Sequence, residues 1–67
     1  MVVAVKNGAI TPDEKKIYTD YAIEKHSDME LSEIMIEVDD DNVILHCFSE
    51  SSGEDVLKLK RIPGYGG

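Results

Sequence analysis

Several short groupings in this chain use residue types from which chemistry is made. Asp39-Asp40-Asp41 puts carboxylates side by side, the raw material of a calcium site. His46 and Cys47 are adjacent, a base next to a nucleophile. Lys58, Lys60 and Arg61 gather cations near the end of an acidic chain, and Gly66-Gly67 is an end without side chains. Spacing decides what each can do. The aspartates lack the alternating ligand positions, central glycine and distant glutamate that wrap calcium, so they read as a hairpin turn. Neighbours in a strand point to opposite faces, so His46 and Cys47 share neither a metal nor a proton. Cys47 is the sole cysteine; it makes no internal disulfide and reads as a small core residue. No serine elbow, phosphate-cradling glycine loop or ligand cluster is present. The chain is therefore expected to be no enzyme and to bind no cofactor or metal itself.

The elements that must position these residues follow from periodicity. Residues 2–5 are an apolar, β-branched run, and Asn7-Gly8 is a hairpin signal because both residues tolerate positive φ. A short return strand is expected at Ala9-Ile10. Thr11-Pro12-Asp13-Glu14 marks a helix start, with Thr11 as cap, Pro12 in the first turn and Glu14 reaching back to complete a capping box. Ile17, Tyr18, Tyr21 and Ala22 recur at helical spacing, and the helix should fade near His26, a cation suited to a helix C-terminus. Alternation then takes over. Ile34, Ile36 and Val38 face one way and Met35 and Glu37 the other; Val43, Leu45 and Cys47 alternate with Ile44, His46 and Phe48. Residues 49–55 read as a loop and 56–62 as the last strand. Val3, Val5, Ile17, Tyr21, Ile36, Val38, Leu45, Leu57 and Leu59 are the expected core.

Length and charge bound the function. With 67 residues the chain fits one domain, and a domain this small buries only about 60% of the surface its unfolded form exposes. A deep catalytic cleft is hard to build on that scale. The net charge is −7, and no Lys or Arg falls between His26 and Leu57. Binding a phosphate backbone needs clustered cations, so nucleic acid is not an expected partner; an acidic face suits a basic protein surface. No apolar run reaches the roughly 20 residues that span a bilayer. No membrane association and a cytoplasmic location are the expectation. The domain is expected over residues 1–62, with 63–67 a flexible tail.

Ser52-Gly53-Glu54-Asp55-Val56, the alternating strand up to Arg61 and a short tail ending in Gly66-Gly67 together resemble the end of the ubiquitin-like (β-grasp) sulfur carriers, the ThiS- and MoaD-like family. The opening residues with Asn7-Gly8, the helix from Pro12 to about His26, and Met29 to Ile44, where an apolar strand runs into a polar turn and another strand, are loosely similar as well. The resemblance implies an α+β, β-grasp-like fold: one helix on a mixed sheet of four to five strands, with the first and last strands side by side and parallel. It implies a carrier whose terminal carboxylate, on Gly67, is adenylated by a partner enzyme that uses ATP and then converted to a thiocarboxylate. The sulfur passes to an acceptor enzyme in cofactor biosynthesis or tRNA thiolation. Gly66 would permit entry to the partner's channel, with Lys58, Lys60 and Arg61 among the partner-binding residues.

A second reading comes from another class. His46 to Val56 is similar to a strand–loop–strand of uracil-DNA glycosylase inhibitors, and the long acidic stretch suits an inhibitor or nucleic-acid mimic that occupies a basic protein surface. Glu37, Asp39 and Asp41 would be its binding carboxylates. This reading requires the carboxylates on one surface and makes no use of the glycine pair.

Overall fold

The computed structural model of the chain describes residues 1–62. In order these form β1 (Val2–Lys6), α1 (Pro12–Lys25), β2 (Glu33–Asp39), β3 (Asn42–Ser49) and β4 (Gly53–Lys60). The strands make one sheet in the order β1-β2-β3-β4. β1 and β2 are parallel; the other two pairs are antiparallel. The class is the expected one: α+β, one helix on a four-stranded mixed sheet, compatible with a small β-grasp-like fold.

A parallel pair needs a crossover, and α1 supplies it. Its start is fixed by Thr11, whose Oγ1 accepts the Glu14 N–H at 3.1 Å, and by Pro12 in the first turn. Glu14 does not close a capping box, because its carboxylate turns inward to Tyr18 and Arg61.

Three expectations about the strands are corrected. Asn7 takes the positive φ, 62°, but the chain does not turn back and Ala9-Ile10 forms no strand. β1 pairs only with β2, from Val2 opposite Glu33 to Lys6 opposite Glu37, and Thr11 begins the helix cap directly after Ile10, too soon for a return strand to form. Gly8 crosses so close to β2 that a Cβ there would meet Val38 Cβ at 2.9 Å. Second, β1 and β4 are not neighbours; they are the opposite edges of the sheet. Third, β4 begins at Gly53 rather than Val56, because Gly53 at φ 77° turns the chain straight back onto β3.

The core joins one face of the helix to one face of the two central strands. Tyr18, Ala22, Ile34, Ile36, Val43, Leu45 and Cys47 are each exposed by 1% or less. Val3, Val5, Tyr21, Leu57 and Leu59 border them. Val38 is half-buried. Ile17, expected inside, is 41% exposed. The helix is rotated from the expected stripe, and its buried residues are Glu14, Tyr18, Ala22 and the cap residue His26, every fourth position.

That buried line carries an ionisable group at each end, and each reaches the last strand. At one end Glu14 accepts hydrogen bonds from Arg61 Nε (2.9 Å) and from the Tyr18 hydroxyl (2.7 Å). At the other, His26 Nδ1 donates to the Ala22 carbonyl at 2.8 Å and Nε2 to Asp55 at 2.6 Å. Glu14 to His26 spans about 18 Å at about 1.5 Å per helical residue. Asp55 to Arg61 spans about 20 Å at about 3.3 Å per strand residue. The two spans match, so α1 lies antiparallel to β4 and is clamped to it at both ends.

Candidate functional site

A single helix covers a single face of the sheet. Among the described residues nothing covers the other. Strand alternation and register determine what that open face carries. Its apolar residues are Val2 and Ala4 of β1, Met35 of β2, Ile44 and Phe48 of β3, and Val56 of β4. None of them belongs to the core; Val2 and Val56 are 62% and 50% exposed, and Ala4, Met35, Ile44 and Phe48 are half-buried.

His46 stands in the middle of this apolar band. Its Nε2 donates to Glu37 Oε1 and its Nδ1 to Glu54 Oε2, both at 2.9 Å. Ionised carboxylates only accept, so this bracket favours the imidazolium, with a proton on each ring nitrogen. The hydrogen bonds to Glu37 and then Glu54 hold its pKa above 6.5 against the opposing effect of burial. The bond from His46 in turn lowers the Glu37 carboxyl below 4.5, with help from Lys6 and Asn7. Asn7 Nδ2 donates to Glu37 Oε2 at 3.1 Å. With both nitrogens engaged by carboxylates, the imidazole has no free ring nitrogen to offer a substrate. Cys47 lies on the opposite face, 1% exposed, and burial raises its thiol above the ordinary value.

The residues singled out from sequence separate into groups. Lys58 and Lys60 are exposed on the open face, where they share the sheet surface with Glu37 and Asp39. Asp41 sits in the turn joining β2 to β3, and its carbonyl accepts the Arg61 N–H at 2.6 Å. Arg61 does not present its charge outward: the guanidinium is spent on Glu14 and on the Ala9 carbonyl, at 2.9 Å each. Gly66 and Gly67 lie outside the described residues.

The acidic stretch does not form one surface. Asp39, Asp40 and Asp41 are at one end of the β2–β3 pair, whereas Glu30, Glu33, Glu50 and Glu54 are at the other, separated by a strand of about 23 Å. Between them runs the apolar band. Near the glutamate end, a shallow cleft of about 360 Å³ is lined by Glu30, Leu31, Ser32, Ser49, Glu50 and Ser51. The hydroxyls of Ser49 and Ser51 bond to each other at 3.1 Å, and neither histidine lines the cleft to activate them. Among the described residues no cluster of three His, Cys, Asp or Glu is arranged to hold a metal ion, and no helix is long and apolar enough to cross a membrane.

Sequence reasoning missed the bracket around His46. The signal was present: His46 alternates with core residues and so had to face outward, level with Met35 and next to the glutamate of the preceding strand. No protein-family model, curated protein or solved structure matches the chain.

Proposed function

We propose that this chain is a non-catalytic docking module that binds another protein through the open face of its sheet. The partner surface it suits has an apolar strip flanked by basic residues. The observation that carries this reading is the band of Val2, Ala4, Met35, Ile44, Phe48 and Val56, which lies outside the core and is flanked by carboxylates at both ends. Contiguous apolar surface rimmed by charge marks an interaction site. The acidic ends bring a basic partner into register, and the apolar centre supplies the affinity. Lys6, Lys58 and Lys60 on the same face add orientation, because a partner must offer them carboxylates or avoid them.

The test is a photo-crosslinking residue placed at Met35 on the open face or at Ile17 on the outer side of the helix, in the native cell. A discrete heavier adduct from position 35 and none from position 17 is expected. No adduct from 35, or the same adduct from both, sinks the proposal. Changing Glu33, Glu50 and Glu54 together to Gln should weaken the adduct, and raised salt should do the same.

The sulfur-carrier reading rests on a separate observation, the Gly66-Gly67 end that follows β4. The sheet order argues against it, since β1 and β4 are at opposite edges and not adjacent. Incubation with an adenylating enzyme, ATP and a sulfur source decides it by mass spectrometry. Exchange of the terminal oxygen for sulfur adds roughly 16 Da at the C-terminus; adenylation lost on removing Gly66-Gly67 is the accompanying control. A chain that takes up no AMP from a cognate adenylating enzyme is not a carrier.

A further inference from the structure

β4 is the last strand of the sheet, and among the described residues its outer edge faces no other strand. Such an edge is a row of unpaired backbone donors and acceptors, a template for another strand. At 8 residues β4 is as long as β3, and it holds no proline. Its charges are ordered along its length. Glu54 and Asp55 come first, Val56 and Leu57 lie in the middle, and Lys58 and Lys60 come last. A strand with acids at its start and bases at its end complements its own copy running antiparallel, and repels one running parallel.

We propose that β4 pairs antiparallel with β4 of a second copy, across a two-fold axis through Leu57, to form one continuous sheet. In that register Glu54 stands opposite Lys60 of the second copy, and by symmetry Lys60 stands opposite its Glu54. Val56 faces Lys58, Asp55 faces Leu59, and the two Leu57 side chains meet on the helix-covered side. The pleat is preserved, because each residue pairs with one on the same face. Glu54 gives only Oε2 to His46, so its second oxygen remains for the lysine. Other registers are worse. Centring on Lys58 opposes two lysines, and centring on Asp55 opposes two aspartates. Centring on Val56 keeps Glu54 opposite Lys58 but sets Lys60 against Ser52, beyond the end of the strand. The same charges that select this pairing discourage a foreign strand. The contact is isologous and small, so the dimer is weak and reversible. This surface is the strand's edge, and the inference does not depend on what the open face binds.

The experiment is sedimentation of the full chain from about 10 μM to about 1 mM, a range that brackets weak association. The wild type is expected to pass from monomer to dimer. Lys60→Glu sets glutamate against glutamate and should weaken the dimer by about tenfold or more. Glu54→Lys sets lysine against lysine and should do the same. An equimolar mixture of the two variants restores both opposite-charge pairs and should dimerise at least as well as the wild type. A monomeric wild type at the highest concentration, a Lys60→Glu dimer of unchanged strength, or a mixture that fails to associate overturns the proposal. If Glu54→Lys fails to fold for want of its bond to His46, amide exchange on the wild type decides. Alternate amides of β4 should gain protection with concentration while those of β1 do not. Protection on β1, on the open face or nowhere overturns it.

Discussion

Tyr18→Phe removes one oxygen atom from the clamp that joins the helix to the end of the sheet. The residue is 1% exposed. Its hydroxyl donates to Glu14 Oε2 at 2.7 Å and accepts the Ile62 N–H at 3.1 Å. Burial, and then the bond to Glu14, raise the phenol pKa and keep it protonated as a donor. Phenylalanine fills the same ring volume, so the cost is polar and leaves almost no cavity. A hydrogen bond to a charged, buried acceptor contributes about 1.5–3 kcal/mol. Glu14 keeps its guanidinium partner, which places the expected loss near the middle, at about 2 kcal/mol. At about 4–8 °C per kcal/mol for a domain of this size, the midpoint should fall by about 8–16 °C. Thermal and urea unfolding followed by circular dichroism near pH 6 measure it. A cycle with Glu14→Gln should show coupling of about 1 kcal/mol or more, since the two side chains touch. Strictly additive single effects, or a Tyr18→Phe variant within about 0.5 kcal/mol of the wild type, would refute the clamp as the link between helix and strand.

Further outcomes follow from the same contacts. Hydrogen bonds to Asp55 and to Glu37 raise the pKa values of His26 and His46 above 6.5. Their contribution is therefore complete below pH 6.5 and is lost as pH rises through the raised folded values. Glu14 and Glu37 are lowered below 4.5; burial opposes this at Glu14, but Arg61 and Tyr18 outweigh it, and His46 is the main cause at Glu37. Their contribution is complete above pH 4.5 and lost as pH falls through the lowered folded values. Unfolding midpoints should thus be higher at pH 5.5 than at pH 8.5, and His26→Gln or His46→Gln should flatten the alkaline decline. Greater stability at pH 8.5 would contradict both histidine assignments. Gly8→Ala drives a methyl against Val38, which a Cβ would meet at 2.9 Å, and should cost about 1–3 kcal/mol; adding Val38→Ala should recover part of it, and a neutral Gly8→Ala would place β1 further from β2 than found. The buried Cys47 thiol should react with a disulfide reagent more than about a hundredfold slower in the folded chain than in denaturant, because access requires opening of the core. Prompt modification would place it outside the core.

What could be read from the sequence was whatever depends on a short period. Thr11-Pro12 located the helix start, and alternation sorted Ile34, Ile36, Val43, Leu45 and Cys47 from Met35, Glu37, Ile44, His46 and Phe48 onto the correct faces. What could not be read depends on partners distant in the chain. Asn7-Gly8 has the chemistry of a hairpin and does adopt positive φ at Asn7, yet the helix cap at Thr11 follows too soon for a return strand. Glu14 reads as a capping-box residue and His26 as a cation at the helix end, so the expected stripe runs through Ile17, Tyr18, Tyr21 and Ala22 instead. The burial of Glu14 and His26 is intelligible only once Arg61 and Asp55 stand opposite them, 47 and 29 residues along the chain. The Lys58–Arg61 cations look equivalent in sequence, but strand alternation exposes the lysines and the end of β4 turns Arg61 back toward the helix.

The open face and the His46 bracket have one cause. A helix of 14 residues is long enough to cover one side of a four-stranded sheet and no more. The second side is left with apolar residues that a domain this small cannot bury in itself. A purely apolar face would invite indiscriminate association. Here the centre of the band is a cation between two carboxylates, each satisfied by hydrogen bonds and each still within reach of water, with His46 and Glu37 only 20% and 24% exposed by side chain. Covering this triad takes its charges out of water at a cost that a partner of poor complementarity does not offset. A well-matched partner keeps the bonds intact and gains the surrounding Met35, Ile44, Phe48 and Val56. On the docking reading proposed above, the same arrangement makes association through this face selective, and replacing His46 by an apolar residue should trade selectivity for general stickiness.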